Sequence, residues 1–324
     1  MSYAQNAPEP LYYEKLQAIA GHLLEFGGEI YIVTHVDPDG DAIGSSLGMA
    51  RALRSIGKSV TLVASPPPYL QFLGGPEEFH PAVERIPAGA LLLVLDSAEV
   101  ARVAGAPVEG YVVNIDHHGT NPRFGQMSAV DPSKAATAQM VKDLIDILEV
   151  EWTPEIATPV LTGIITDTGN FRHSNTTPEV LHDAAELVGH GVKLADLTDR
   201  LQWRPQAYFK TLGAVLTTVQ FHFGGRLVTA HLPPDFSFED DSDDFVGTIR
   251  YAEGTNLAIF LRQRGEDVKL SIRSRGEVSA QSVAVRLGGG GHVPAAGATL
   301  RGLNLEQAYP KVLAAVEEAL TVEG

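Results

Sequence analysis

Through roughly the first 190 residues, short unbroken apolar runs alternate with stretches in which apolar positions recur every three to four residues. The runs EIYIVT (29–34), KSVTLVAS (58–65), the start of ALLLVLDSAEVARVAG (90–105) and YVVNID (111–116) read as strands buried on both faces. AIGSSLGMARALRSIG (42–57), the part of 90–105 after Asp96, AATAQMVKDLIDILEV (135–150), PEIATPVLTGIITDTGNF (154–171) and TTPEVLHDAAELVGHG (176–191) read as helices. The last has Thr176 or Thr177 as its cap and Pro178 at its first position. The segment 66–79 reads as a loop with a short helical turn. This alternation predicts an α/β fold, a doubly wound, mainly parallel sheet with helices on both faces, over residues 1–190.

Regular signals thin out over 191–213, around Trp203, Arg204 and Pro205, which suits a linker. From 214 to 324 the pattern becomes one of paired strands: VLTTVQFHF (215–223) with RLVTAHL (226–232), and NLAIFLRQRG (256–265) with DVKLSIRSRG (267–276). Each pair is joined by a short glycine-containing turn, as in hairpins. A helix at 279–287, the loop GGGGHVPAAGATL (288–300) and an amphipathic helix over 304–320, with Pro310 as a candidate kink, complete a second, smaller α+β domain.

Composition narrows the function classes. The chain is 44% hydrophobic and 20% charged, ordinary for a globular protein, and has no run near the ~20 apolar residues of a membrane span. Its first sixteen residues lack the basic start and apolar middle of a signal peptide, so cytoplasmic residence is expected. Without cysteine, the strong metal ligands are histidine and carboxylate. A formal charge of -16 repels long polyanions, so the expected partners are small anions rather than long nucleic acid or membrane. The acidic run at 233–245, densest at 239–244, reads as a solvated loop.

Chemistry concentrates in THVDPDGDAIGS (34–45), where His35, Asp37, Asp39 and Asp41 fall at alternate positions. Pro38 and Gly40 argue for a loop rather than a continuing strand. Two carboxylates ~4 Å apart repel by ~4 kcal/mol at an effective dielectric of ~20, so such a group takes up protons or cations. Helix capping explains a single Asp here but not the whole cluster. Asp96 ends one apolar run, Asp116, His117 and His118 end another, and Asp167 sits beside Gly169. In a parallel sheet these positions converge at the carboxyl ends of the strands, the usual ligand side. Carboxylates mixed with imidazoles suit two Mn²⁺ ions, with Mg²⁺, Co²⁺ or Zn²⁺ as alternatives.

Four segments, HVDPDGDAIGS, VLD ending at Asp96, DHH at 116–118 and TDTGNF around Asp167, closely resemble in order and spacing the four motifs of the DHH phosphoesterase superfamily. SIRSRG and GGGGHVPAAG resemble the DHH-associated C-terminal domain, so the likeness runs from about residue 15 to the end. The layout is similar to the oligoribonuclease (nanoRNase) and phosphoadenosine phosphate (pAp) phosphatase type, with phosphodiesterases of cyclic dinucleotides as near kin.

The resemblance implies one metal held by His35, Asp39 and Asp96 and another by Asp41, Asp96, His117 and Asp167, with Asp96 bridging. It gives Asp116 the role of orienting a histidine, puts His118 at the phosphate or leaving oxygen, and assigns Asp37 no role. On the second domain, Gly288, Gly289, Gly290 and Gly291 with His292 read either as a pliable loop or as bare backbone for a phosphate or base; the resemblance implies binding. Arg273 and Arg275, read as alternating with Ser271 and Ser274, are expected to face one the cleft and the other solvent, and Arg273, with Ser271, is the choice for the substrate's terminal phosphate; Arg262 and Arg264 are weaker candidates. His173 and Arg172 lie near Asp167, and the remaining histidines read as surface or packing groups.

The implied activity is a phosphoesterase that shortens very short oligonucleotides and takes the 3′-phosphate from pAp by two-metal activation of water. A dinucleotide phosphodiesterase, a recombination-type single-strand exonuclease and a non-catalytic nucleotide sensor are the alternatives. The glycine-rich domain argues against pyrophosphatase and polyphosphatase kin. A homodimer is compatible with the resemblance.

Overall fold

The structure, a computed structural model, describes residues 10–236, 243–276 and 278–322. Positions 239–242 of the acidic run and the first nine residues lie outside these. The chain divides into two compact units, Met1–Trp203 and Arg204–Gly324.

The first unit holds α1 (Pro10–Glu25), β1 (Ile30–Val33), α2 (Gly40–Ser55), β2 (Val60–Val63), β3 (Leu91–Leu95), β4 (Tyr111–Asp116), β5 (Met127–Val130), α3 (Thr137–Ile147), α4 (Pro154–Asp167), α5 (Pro178–Gly189) and α6 (Leu194–Gln202). Its five strands are all parallel in the order β2-β1-β3-β4-β5. The α/β class is therefore as expected. Strand order reverses direction between β1 and β3, and it is outside the carboxyl ends at such a point that open sheets bind ligands.

Alternate strand residues feed two cores, because side chains leave a strand on opposite faces. Ile30, Ile32, Leu91, Leu93, Leu95, Val113 and Ile115 pack against residues of all six helices, among them Leu16, Leu47, Leu144, Leu161, Leu187 and Leu197. Tyr31, Val33, Leu92, Val94 and Val112 form the other core with Val83, Ile86, Val103, Val108 and Phe124, which belong to segments without α-helix. The helices thus gather on one face instead of both. Between β3 and β4 the expected helix shrinks to a single 3-10 turn, Val100–Arg102, since Gly105 takes a φ of 76° and Pro107 follows. β5 went unread because only four residues pair, too few to show a period. The loop at 66–79 forms two 3-10 turns, Pro68–Leu73 and Pro76–Glu78.

The crossing of α2 and α4 fixes the position of two acidic residues. Gly40, Gly44 and Gly48 line one face of α2, and a Cβ on Gly44 would strike the Pro159 carbonyl, while one on Gly40 would strike Thr166. Small residues spaced by four let the two helices approach until their backbones touch. The N-terminus of α2, with Asp41, is thereby carried to the C-terminus of α4, with Asp167.

The second unit holds α7 (Gln206–Leu216), β6 (Gln220–His222), β7 (Leu227–His231), α8 (Asp243–Ile249), β8 (Leu257–Arg264), β9 (Asp267–Ser274), α9 (Ala280–Arg286), β10 (Gly290–Gly291), β11 (Ala295–Leu300) and α10 (Leu305–Val322). Its mixed sheet runs β10-β11-β9-β8-β7-β6. Both expected hairpins form, but β7 and β8 are parallel, joined through α8. The strand expected at 215–223 keeps three residues, because α7 continues to Leu216. The stretch 191–213, expected as a linker, carries α6 and most of α7, and the boundary between the units falls between them. Two cores cover the sheet: Leu257, Ile259, Leu270 and Ile272 pack on α9 and α10, and Ala258 and Phe260 pack with α7 and α8. Among the described residues no helix is long and apolar enough to cross a membrane.

Candidate metal centre and substrate-side loop

The acidic loop is shorter than the sequence suggested. Asp39 closes it as the N-cap of α2, its Oδ1 accepting from the amides of Asp41 (3.0 Å) and Ala42 (3.1 Å), so Asp41 lies within the first helical turn. Capping and the acidic cluster are thus the same feature. Asp37 is exposed at a φ of 53° and, among the described residues, joins no group of metal-type donors.

β1, β3 and β4, neighbours in the sheet, deliver His35, Asp96 and the Asp116–His118 triplet to one place. His35 Nε2 lies 3.5 Å from Asp96 Oδ2 and 4.0 Å from Asp39 Oδ1. His117 Nε2 lies 3.3 Å from Asp167 Oδ2, 3.7 Å from Asp96 Oδ1 and 3.9 Å from Asp41 Oδ2. Two donor sets result, His35–Asp39–Asp96 and Asp41–His117–Asp167, each with its ligand atoms within 4.8 Å of one another. Asp96 stands between them with one oxygen toward each histidine. A third grouping, Asp96–His117–His118, is weaker, because His118 Nδ1 is bonded to Asp116 Oδ1 at 2.7 Å.

Tautomers follow from the partners. His35 Nδ1 lies 2.7 Å from the Val36 carbonyl and His117 Nδ1 3.4 Å from the Lys134 carbonyl. A carbonyl only accepts, so both Nδ1 atoms carry hydrogen, and in the neutral imidazoles that a cation would bind both Nε2 atoms turn lone pairs toward the carboxylates, the arrangement metal-binding imidazoles adopt.

Asp41 is wholly buried, and each of its oxygens accepts a backbone amide, Thr137 N at 2.6 Å and Ala138 N at 2.8 Å. These are the first amides of α3, whose own preceding residue, Ala136, supplies no cap. A side chain from α2 therefore caps α3. Thr137 Oγ1 donates to Asp96 Oδ1 at 3.0 Å. Asp96 itself is held at a φ of 55°, a conformation that costs a non-glycine residue about 1–2 kcal/mol. Gly163 completes the packing, since a Cβ there would meet Asp41 Oδ1 at 2.7 Å.

Electrostatics set these carboxylates apart. Burial, then the charges of Asp96, Asp167 and Asp39, hold the Asp41 carboxyl well above the usual range. Burial, then Asp96 and Asp39, does the same to Asp167. Asp96 is also pushed up by burial, but hydrogen bonding from His35 and the charges of His117 and His118 outweigh this and hold it below the usual range. His118 moves to about 9, chiefly through its bond to Asp116. A divalent cation would relieve the repulsion that Asp41 and Asp167 carry, and the mixed imidazole–carboxylate donors, 3.3–4.0 Å apart, fit one.

Several contributors were not foreseen. Asn121 Nδ2 donates to Asp116 Oδ2 (2.6 Å) and to Asn114 Oδ1 (2.8 Å), and reaches the Ser97 carbonyl at 3.1 Å; this fixes the carboxylate that orients His118. Lys134 Nζ, almost wholly buried, bridges Asp143 and Glu179 at 2.8 Å each and so anchors the segment whose carbonyl meets His117. Asn121 lies five residues after Asp116 in the same loop, the one sequence cue available; a lysine before a helix gives none. Near Asp167, His173 Nδ1 lies 3.4 Å from its carbonyl and Arg172 Nε donates to the Gly169 carbonyl at 2.8 Å. A cavity of about 460 Å³ opens at the amino ends of β3 and β4, by Ile86, Glu109 and Tyr111; it contains none of these donors.

In the second unit, Arg273 pairs with Ala295 in the ladder, and its Nη1 donates to the Ile272 carbonyl at 3.0 Å. Ser271 is buried on the same strand face. Arg275 shares their parity rather than alternating with Arg273, but lies past the strand end and is exposed. The glycine run is a hairpin edge instead of a pliable loop. A Cβ on Gly289 would strike the Gly297 carbonyl, one on Gly291 would meet Ala296 Cα at 2.6 Å, and Gly288 has a φ of 77°. Those three glycines answer to their own hairpin. Gly290 has open space around its Cα, and His292 is exposed in the following turn.

Comparison with known proteins agrees with this architecture. The family model described as DHH family, N-terminal domain, matches residues 29–164, and the DHHA1 domain matches residues 225–321. The bifunctional oligoribonuclease and PAP phosphatase NrnA of Thermus thermophilus is 68% identical over 98% of both chains. The enzyme of the same name from Bacillus subtilis is 28% identical over 84% of this chain and 89% of that one. An exopolyphosphatase-related protein from Bacteroides fragilis superposes with a TM-score of 0.82 at 23% identity, covering 94% of this chain and 96% of its own, a likeness of fold.

Proposed function

For a chain that belongs to the DHH family, an N-terminal DHH domain followed by a DHHA1 domain and hence a hydrolase of phosphoester bonds, we propose release of nucleoside monophosphates from very short oligonucleotides and of the 3′-phosphate from pAp. The observation that carries this reading is the pair of donor sets meeting at Asp96, each with its histidine Nε2 turned inward by a carbonyl at Nδ1. The substrate class is supported by the 68% identical relative.

His35, Asp39 and Asp96 would hold one divalent cation, and Asp41, His117 and Asp167 with Asp96 the other. Manganese suits the mixed donors, and magnesium, cobalt or zinc are the alternatives to test. Such ions lower the pKa of water and neutralise charge on a departing ester oxygen. The chain's own part is geometric and protonic. The α3 amides keep Asp41 pointed inward, and Thr137 restrains one Asp96 oxygen. His118, protonated through Asp116, carries a proton and a positive charge for the phosphate or the leaving oxygen. Arg273, Gly290 and His292 form the proposed nucleotide-holding side. Cytoplasmic residence goes with such substrates.

The test is a panel of pAp, 5′-phosphorylated dinucleotides, cyclic dinucleotides and a 40-mer, each with Mn²⁺ and Mg²⁺, scored by initial rate. Dinucleotides and pAp are expected to lead. Faster cleavage of the cyclic compounds or of the 40-mer refutes the assignment, and no hydrolysis of any ester refutes the whole reading.

A further inference from the structure

The last carbonyls of α4 have no partners within the helix, as at any helix end. Those of Ile164, Ile165 and Thr166 accept from the amides of Thr168 (3.1 Å), Asn170 (2.7 Å) and Gly169 (3.0 Å). That of Asp167 is met from the side by Asn175, whose Nδ2 donates to it at 3.1 Å and to the Ala135 carbonyl at 3.2 Å. Both amide hydrogens are thereby used. Asn175 can reach back because Gly169, Asn170 and Phe171 are all left-handed, at φ of 55°, 60° and 60°. Two residues further on, Thr177 caps α5 by accepting from the Val180 amide, which holds the segment from its other end. A left-handed backbone is costly for Asn and Phe, and such strain persists only where the surroundings hold it. Asn175 Oδ1 is buried with no hydrogen-bond partner among the described residues. Reversing the amide would set that oxygen against two carbonyls, so the side chain is kept for its donors at the cost of an idle acceptor.

Ala135 belongs to the segment that holds the other donors of that set. The Lys134 carbonyl faces His117 Nδ1, the Thr137 and Ala138 amides bind Asp41, and Thr137 Oγ1 donates to Asp96. Asn175 links Asp167 to the same segment. His35 and Asp39 are fixed elsewhere, by the Val36 carbonyl and the first amides of α2. Resting on the two-cation reading above, we propose that Asn175 is a positioning residue for one cation site alone. It keeps Asp167 in register with Asp41 and His117, so occupancy of that donor set depends on it and occupancy of His35–Asp39–Asp96 does not.

The experiment titrates Mn²⁺ by calorimetry into the full chain carrying His35→Ala, which disables the His35–Asp39–Asp96 set, and into the full chain carrying Asp167→Asn, which disables the other. Adding Asn175→Leu, close in shape but without donors, should weaken binding about tenfold in the first background and leave it unchanged in the second. Asn175→Asp, which presents oxygens to the two carbonyls, should do the same. Because leucine removes the idle acceptor along with the donors, Tm should change little. Equal weakening in both backgrounds would make Asn175 a brace for the turn, and unchanged binding in the first would likewise overturn the proposal. In EDTA, imidazole NMR should show the His117 signals displaced by Asn175→Leu and those of His35 in place; movement of both, or of neither, overturns it. Should the wild-type chain take up no Mn²⁺, the two-cation reading fails, and these spectra still decide what Asn175 positions.

Discussion

Asp116→Asn isolates what the buried Asp116 does for His118. Oδ1 accepts from His118 Nδ1 at 2.7 Å and Oδ2 accepts from Asn121 Nδ2 at 2.6 Å, so both oxygens are committed. An amide in the same shape turns one of these contacts into donor against donor, costing about 1–3 kcal/mol of stability. It also replaces the carboxylate acceptor whose hydrogen bond is the largest reason for the His118 pKa of about 9. If the imidazole returns to its ordinary value near ~6.5, the protonated fraction at pH 7.5 falls from nearly all to roughly a tenth.

The sign comes from linkage. With the folded pKa raised, the bond's contribution to stability is whole below the ordinary histidine value and fades as pH climbs through about 9. Histidine NMR on metal-free protein should therefore show a His118 midpoint near 9 that drops in Asp116→Asn, and the alkaline limb of kcat should move down with it. An unchanged midpoint in the variant would refute the reasoning, whatever happened to the rate.

Asp41 and Asp167 give stability the same slope with pH, for a different reason. Their carboxyls are raised by burial and by neighbouring carboxylates, so their ionisation weakens the fold. In EDTA, stability should be full below the ordinary carboxylate range and decline as pH rises through their raised values; Asp41→Asn should flatten that slope, and Mn²⁺ should raise Tm most at the higher pH, by differential scanning fluorimetry. Gly163→Ala places a Cβ 2.5 Å from the Ala138 Cβ and 2.7 Å from Asp41 Oδ1. It should lose about 1–3 kcal/mol in urea unfolding and weaken Mn²⁺ binding in calorimetry. Lys134→Met leaves Asp143 buried beside Tyr12 without its cation, and about 3–5 kcal/mol should be lost by the same unfolding assay. Asp96→Ala removes the oxygens shared by both donor sets, and turnover should vanish while the α/β circular dichroism spectrum persists.

The strands that end in chemistry were legible because each is a continuous apolar run cut off by a polar residue, a pattern that survives in one dimension: β1 into His35, β3 into Asp96, β4 into Asp116. The residues of both donor groups could be named from these ends, from the start of α2 and from the end of α4. Less readable were elements whose signal is short or non-local. β5 has four paired residues, and the helix expected after Asp96 yielded to Gly105 and Pro107. Nor was it legible why the run is glycine: at 289 and 291 the facing strand leaves a side chain no room, and Gly288 has a left-handed φ of 77°.

What the order of residues determined alone was therefore the donor inventory and the sheet that gathers it, since apolar period and chain breaks are local properties. What only the tertiary structure decided was which lone pair faces which oxygen. Asp41 caps a helix 96 residues away, Asn121 locks Asp116, and the Lys134 carbonyl sets the His117 tautomer. Each of these depends on α2 and α4 touching or on a loop folding back, and distances across folded chain have no trace in spacing along it.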